Sequence, residues 1–157
     1  MMVRMVAMDY QRGLKMMKEM LETGQVGSKL EYTADESFPA RAYVGIRNVC
    51  SMDDIEKVMG GDFENLTSTV NEKGIEATEF FTIYEKWNLG KGEVSYTVCV
   101  GVDGNTVNSE GLPEGFIIGA RAACDGFVVT HTGEYEHLGN AWSAGMVRAR
   151  SKPPLFK

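Results

Sequence analysis

Val94, Tyr96, Val98, Val100 and Val102 alternate with small or polar residues without a break. That period of two marks a strand with one buried face. Just before it, Thr78 to Trp87 is dense in aromatics: Phe80, Phe81, Tyr84 and Trp87. As a regular strand it sets Phe81, Ile83, Glu85 and Trp87 on one face and Phe80, Thr82, Tyr84 and Lys86 on the other. Other segments repeat at helical steps. Tyr10, Leu14, Met17 and Leu21 predict a helix over 9–23, capped by Asp9 and stopped by Gly24. Met16, Met17 and Met20 widen its apolar face, which needs a partner surface, because a helix this short is marginal alone in water.

Residues 24–29 read as a linker. Leu30 to Cys50 is strand-like and is broken at Phe38-Pro39. Ser51-Met52-Asp53-Asp54 has the form of a helix start, and Ile55, Met59, Phe63, Leu66 and Val70 follow as an apolar stripe. Gly60-Gly61 weakens this helix, and Gly74 ends it. Asn105 to Gly115 is polar and glycine-rich, the composition of a loop. Phe116 to Cys124 reads as a strand, Asp125-Gly126 as a tight turn, and Phe127 to Thr132 as the hairpin partner. Gly133 then opens a helix with Leu138, Trp142 and Met146, ended by Pro153-Pro154.

Tyr43-Val44-Gly45-Ile46-Arg47 and Phe127-Val128-Val129-Thr130-His131 are both strands running into helices, offset by 84 residues. The expected class is α+β: an antiparallel sheet from two strand-helix-strand-strand repeats with helices packed on one face. The second repeat is incomplete, since its last strands would begin near residue 162. An open sheet edge pairs readily with another chain, so a homo-oligomer completing that edge is expected.

Charge and cysteines narrow the function classes. A net charge of −6 without a dense basic cluster argues against nucleic acid. No run of about 18 apolar residues is present, so no membrane partner is expected, and a cytoplasmic location follows. Cys50, Cys99 and Cys124 match no zinc or redox spacing and read as buried thiols. With two histidines, both in one corner, no metal site and no cofactor are expected.

That corner carries the candidate chemistry. His131, Glu134, Tyr135, Glu136, His137 and Trp142 crowd a strand-to-helix junction. Glu136 falls in the first helical turn, where the helix dipole favours a carboxylate. Glu134 reads as exposed, His137 as a surface residue, His131 as buried and hydrogen-bonded, and Trp142 as packing. On the aromatic strand either Glu85 sits among aromatics, suited to an organic cation, or Tyr84 lines a cleft with Trp87 at its rim.

Phe38-Pro39-Ala40-Arg41-Ala42-Tyr43-Val44-Gly45-Ile46-Arg47 and the pattern His131, Gly133, Tyr135, Leu138, Ala141, Trp142 together resemble the GyrI-like small-molecule-binding family. This is the effector-binding domain of AraC-type and MerR-type regulators, which also occurs alone. The resemblance covers roughly Ser37 to Pro154. The helix from Asp9 to Glu22 is similar to the last helix of START-like domains. The resemblance implies residues 1–29 as an N-terminal helix and linker, and 30–157 as the effector-binding domain without its final strands. It implies two repeats about a pseudo-twofold axis with a cleft between them. It implies binding of a small hydrophobic or cationic ligand by Tyr135, Glu136, Trp142, Tyr84, Glu85 and Trp87. No helix-turn-helix is expected in the residues before the domain. Two other readings stand beside it. One is a hydrolase of cyclopropane-type electrophiles, with Glu136 as general base and Tyr135 or Tyr84 as polariser. The other is a module that sequesters a protein partner.

Overall fold

A computed structural model describes residues 2–88, 90–103, 111–134 and 137–151, with the side chains of 2–9, 34, 35 and 151 outside that description. The elements are α1 (Met2–Thr23), β1 (Ser28–Phe38), β2 (Arg41–Ser51), α2 (Ile55–Glu72), β3 (Glu79–Asn88), β4 (Glu93–Val102), β5 (Phe116–Arg121), β6 (Cys124–Gly133) and α3 (Gly139–Ser151). The class is α+β, and every strand pair is antiparallel. The strands form two sheets rather than one, and the chain divides into two compact units, Pro39–Ala123 and Met1–Phe38 with Cys124–Lys157.

Pro39–Ala123 holds the sheet β3-β4-β2-β5. The alternation read in the sequence decides its core. Val44 and Ile46 of β2 and Val94, Tyr96, Val98, Val100 and Val102 of β4 face one way and bury against Leu66 and Val70 of α2. Each such aliphatic side chain contributes about 1.5–3 kcal/mol by leaving water. The Ser-x-x-Asp motif closes a turn ahead of α2 and does not cap the helix: the Ser51 hydroxyl, at the end of β2, accepts from the Asp54 N–H at 3.1 Å and donates to the Asp54 carboxylate at 2.8 Å, while the N-cap of α2 is Asp54, whose side chain makes no capping bond. Gly74, at φ 62°, takes the left-handed turn that follows α2.

The strand β3 is not regular. Tyr84 pairs with Tyr96, Lys86 pairs with Ser95, and Glu85 is the extra residue of a bulge. The bulge resets the two faces expected from strict alternation. Tyr84 packs toward α2, its hydroxyl 3.8 Å from the Met59 sulfur, and Trp87 stacks on Tyr84 at 5.3 Å between ring centroids. Trp87 therefore leaves the face it would share with Glu85.

The second unit pairs β1 with β6 and adds α1 and α3. The expected hairpin of the 116–124 and 127–132 segments does not form. Asp125-Gly126 continues β6 instead of turning, and β5 joins β2 while β6 joins β1. A Cβ at Gly126 would stand 3.3 Å from the Phe38 ring, a tight contact. Face α3 meets Phe127 and Val129: the Arg148 guanidinium sits 5.1 Å from the Phe127 ring centroid. The core face thus carries Val44 and Ile46 in one copy but Phe127 and Val129 in the other. The repeat runs at an offset of 83, which also matches Phe38 to Arg121 and Arg41 to Cys124. An offset of 84 is one residue out of phase, and one residue swaps the faces of a strand. The copy β2-α2-β3-β4 is whole; β6-α3 begins the other, and β6 has one strand partner among the described residues.

Three further expectations change. The first helix starts well before Asp9, which is an interior residue of α1 and not its cap. Cys99 is buried and Cys50 partly so, but Cys124 is exposed at the start of β6. His137 is buried, not on the surface. No described helix is long and apolar enough to cross a membrane.

Candidate functional site

The face of the four-stranded sheet turned away from α2 carries its own chemistry. Tyr43, Gly45 and Arg47 on β2 lie in register with Gly101, Cys99 and Thr97 on β4. Tyr43 also lies opposite Gly119 of β5, and a Cβ at Gly119 would overlap the Tyr43 ring. Any larger residue at that position would have to displace the tyrosine ring. Phe81 of β3 meets the same ring edge-on, at 5.9 Å and 83°. The centre of this face, with Tyr43, Thr97 and Cys99, is buried.

The bulge places the Glu85 carboxylate in a set of donors. Its Oε1 accepts from Arg47 Nε at 2.8 Å, Arg47 Nη2 at 2.7 Å and Thr97 Oγ1 at 2.8 Å. Its Oε2 accepts from Ser95 Oγ at 3.3 Å. Burial pushes this carboxyl up, but the bonds from Thr97 and Arg47 together with the Arg47 charge outweigh it and hold the group below the usual carboxylate range. Glu85 is therefore an anion near neutral pH. Burial pushes the Cys99 thiol up to about 12, so it is a packing group and no nucleophile. Burial likewise raises the Tyr43 phenol, helped by Cys99 and Glu85, so it stays a neutral donor and an aromatic surface.

Of the residues singled out in the sequence, Glu85 stands on this face, while Tyr84 and Trp87 stand on the other side of β3. Trp142 is half-exposed on α3. Tyr135 and Glu136 lie outside the described residues. Arg47, Thr97, Ser95 and Tyr43 were not singled out. Their signal was available in part, since Tyr43 and Arg47 share a face with Gly45 between them, a glycine in the middle of an apolar strand.

The rest of the corner is a strap. Gly133 adopts φ 136° because the Gly27 carbonyl occupies the space of a Cβ, and the Glu134 N–H donates to that carbonyl at 3.1 Å. The His137 N–H donates to the Glu134 carbonyl at 3.0 Å. Its Nε2 lies 2.9 and 3.1 Å from the two Glu19 oxygens, and Glu19 Oε2 also accepts from the Gly27 N–H at 3.2 Å. Glu19, Glu134 and His137 form a metal-type grouping among the described residues, with one ligand atom from each lying within 4.8 Å of the others. Among the described residues the other imidazole nitrogen, Nδ1, is buried without a hydrogen-bond partner. Through the Glu19–His137 contact this grouping ties α1 to the end of β6. His131 is half-buried, and its Nε2 has no hydrogen-bond partner among the described residues.

No protein-family model and no curated protein matches the sequence. A solved structure does match: a chain in the cryo-EM structure of an EcmrR–DNA complex in EcmrR-RPo, with a TM-score of 0.60 and 17% identity. The match covers 95% of this chain and 54% of that one, so this chain spans about half the length of its structural neighbour. At that identity the likeness is one of fold.

Proposed function

We propose that this chain is the ligand-sensing part of a transcriptional regulator and binds a hydrophobic, cationic small molecule against the face built on Tyr43, Phe81 and Glu85. The observation that carries this is Glu85, held ionised by Arg47 and Thr97 on a face that also bears an aromatic pair. A carboxylate beside aromatic rings attracts an organic cation through charge and through the ring quadrupole. The fold likeness to part of a protein seen bound to DNA supports the regulatory setting.

Arg47 sets the selectivity. Its side chain is largely exposed while it neutralises Glu85. A cationic ligand displaces that guanidinium and inherits the carboxylate, which keeps its bonds to Thr97 and Ser95. The test is titration with a rhodamine-type dye, followed by dye anisotropy and by quenching of Trp87 and Trp142. Glu85→Gln should weaken binding of a cationic dye about tenfold, the scale of one charge-assisted hydrogen bond. Arg47→Ala should strengthen it. Equal affinity of all three proteins for the dye, or no binding across a panel of cationic and neutral aromatics, sinks the proposal. Glu136→Gln in the same titration tests the contribution implied by the family resemblance.

A further inference from the structure

Glu134 and His137 have the spacing Glu-x-x-His, and the 3.0 Å bond from the His137 N–H to the Glu134 carbonyl closes a turn between them. Side chains three apart on a turn of that kind stand one above the other. The same spacing lets a helix present a carboxylate and an imidazole to one metal ion. Glu19 of α1 comes to meet the pair. Its Oε1 and Oε2 lie 2.9 and 3.1 Å from His137 Nε2, and one ligand atom from each of the three residues lies within 4.8 Å of the others. Both carboxylates converge over Gly27, where a Cβ would stand 3.8 Å from Glu134 Cδ and 3.8 Å from Glu19 Oε2. The Gly27 N–H holds Glu19 Oε2 at 3.2 Å. The imidazole is 1% exposed and its buried Nδ1 has no partner among the described residues, so its polar contacts are made at Nε2 alone.

We infer that Glu19, Glu134 and His137 form a binding site for one divalent transition-metal ion of the zinc or manganese class. Charge is the first reason. Two carboxylates face one imidazole, and even a protonated His137 leaves the group negative, whereas a divalent ion on the neutral ring balances it. His137 is the cationic partner that the described residues give Glu19. Distance is the second. Donor atoms bound to a zinc-sized ion stand roughly 2.8–3.5 Å from one another at octahedral or tetrahedral angles, and both separations between Nε2 and the Glu19 oxygens fall in that span. The donor set is the third. An imidazole with two carboxylates suits zinc and manganese, while calcium and magnesium take oxygen ligands. Glu134, the exposed member, closes the site from the solvent side. The expectation of no metal counted histidines, but here carboxylates supply two of the three ligands. The bound ion joins α1 to the residue just before α3, across 118 positions of chain. All three ligands belong to the unit of Met1–Phe38 with Cys124–Lys157, so the metal site draws on no residue of the face built on Tyr43 and Glu85.

The experiment is calorimetric titration of the full chain, stripped with EDTA, with Zn²⁺ and with Mn²⁺, together with NMR of the imidazole nitrogens during the Zn²⁺ titration. Zn²⁺ should bind at one ion per chain and raise the melting temperature, because it binds the folded chain. The ring nitrogens of His137 should shift while those of His131, assigned with His131→Gln, stay in place. Glu134→Gln should remain folded by far-UV circular dichroism, since Glu134 is exposed. It should bind the ion at least about tenfold more weakly, the least that losing even a residue behind a metal ligand costs. Cys124→Ser should bind as wild type does, which separates the site from the exposed thiol. If Glu134→Gln fails to fold, the His137 shift in the wild type carries the test. Four results overturn the inference: no binding of either ion by the wild type, undiminished binding by folded Glu134→Gln, loss of binding in Cys124→Ser, or a Zn²⁺ titration that leaves the His137 ring unshifted.

Discussion

The Tyr96 hydroxyl, on a side chain fully buried in the core, donates a 2.7 Å hydrogen bond to Asp62 Oδ2 on α2. Asn48 of β2 donates to the same carboxylate at 3.1 Å, so one acidic side chain ties the helix to two strands. Burial first, and then the bond to Asp62, raise the Tyr96 phenol far above its ordinary value. Tyr96→Phe removes a donor from a partly buried carboxylate and should cost about 1.5–3 kcal/mol, the range for bonds to charged groups. Urea unfolding should show a lower midpoint and an unchanged slope.

Two glycines are set by contact and not by turn chemistry alone. Gly119→Ala drives a methyl into the Tyr43 ring and should cost about 1–3 kcal/mol. Gly133→Ala meets both a left-handed φ and the Gly27 carbonyl, and should be the more damaging of the two. Thermal melts rank them. A Gly133→Ala protein as stable as wild type contradicts the close approach of residue 27 to β6.

The three thiols should differ sharply toward a disulfide reagent at pH 8. Cys124 is exposed and should react at once. Burial raises the Cys50 thiol and, to about 12, that of Cys99, so both should wait for local or global opening. Counting modified thiols by mass spectrometry before and after adding urea checks this. Rapid modification of Cys99 in the native protein would contradict its place on the sheet.

Acid should weaken the cluster around Glu85. The Glu85 carboxyl is lower in the folded chain than its ordinary value of about 4.3. A depressed carboxylate stabilises the fold above the unfolded value, and that stabilisation disappears as pH falls through the folded value. The stability difference between wild type and Glu85→Gln should therefore be constant from pH 7 to about pH 5 and shrink steadily below about 4.3. Denaturant melts at each pH measure it. A gap that persists unchanged to pH 2 rules out the pairing.

Much of this fold is legible in local pattern. The alternating valines of β4 name the core face, and the 55–70 stripe names the helix that covers it. The break at Phe38-Pro39 is where β1 ends. Pairing is less legible. Asp125-Gly126 carries the local signal of a turn, yet it remains strand because it pairs with Ser37 and Glu36 of β1, far away in sequence. The offset of the repeat fails by one residue for a related reason, since similar residues occur on both faces of β6 and identity alone cannot fix the phase. The face bearing Tyr43 and Glu85 is less legible. The sequence leaves open whether Glu85 or Tyr84 with Trp87 faces a cleft, because the bulge that aims Glu85 depends on the register between Tyr84 and Lys86, and no local signal in the aromatic strand announces it. His137 was misplaced because its partner, Glu19, is more than a hundred positions earlier.

The pairing of β1 with β6 has a consequence for how the molecule is made. Pro39–Ala123 is one uninterrupted segment, whereas the other unit is assembled from the two flanking stretches. Leu30 leaves the ribosome long before its partner His131. At roughly 5–20 residues per second that interval lasts about 5–20 s. During it β2, β3 and β4 can pair, and β5 completes the four-stranded sheet only about 0.5–2 s before His131 emerges, while the backbone amides of β1 face water or whatever strand comes within reach. The nascent protein thus passes through a stage with one finished sheet and one orphaned strand, and its yield in the cell should depend on how quickly synthesis runs from Ala123 to Gly133.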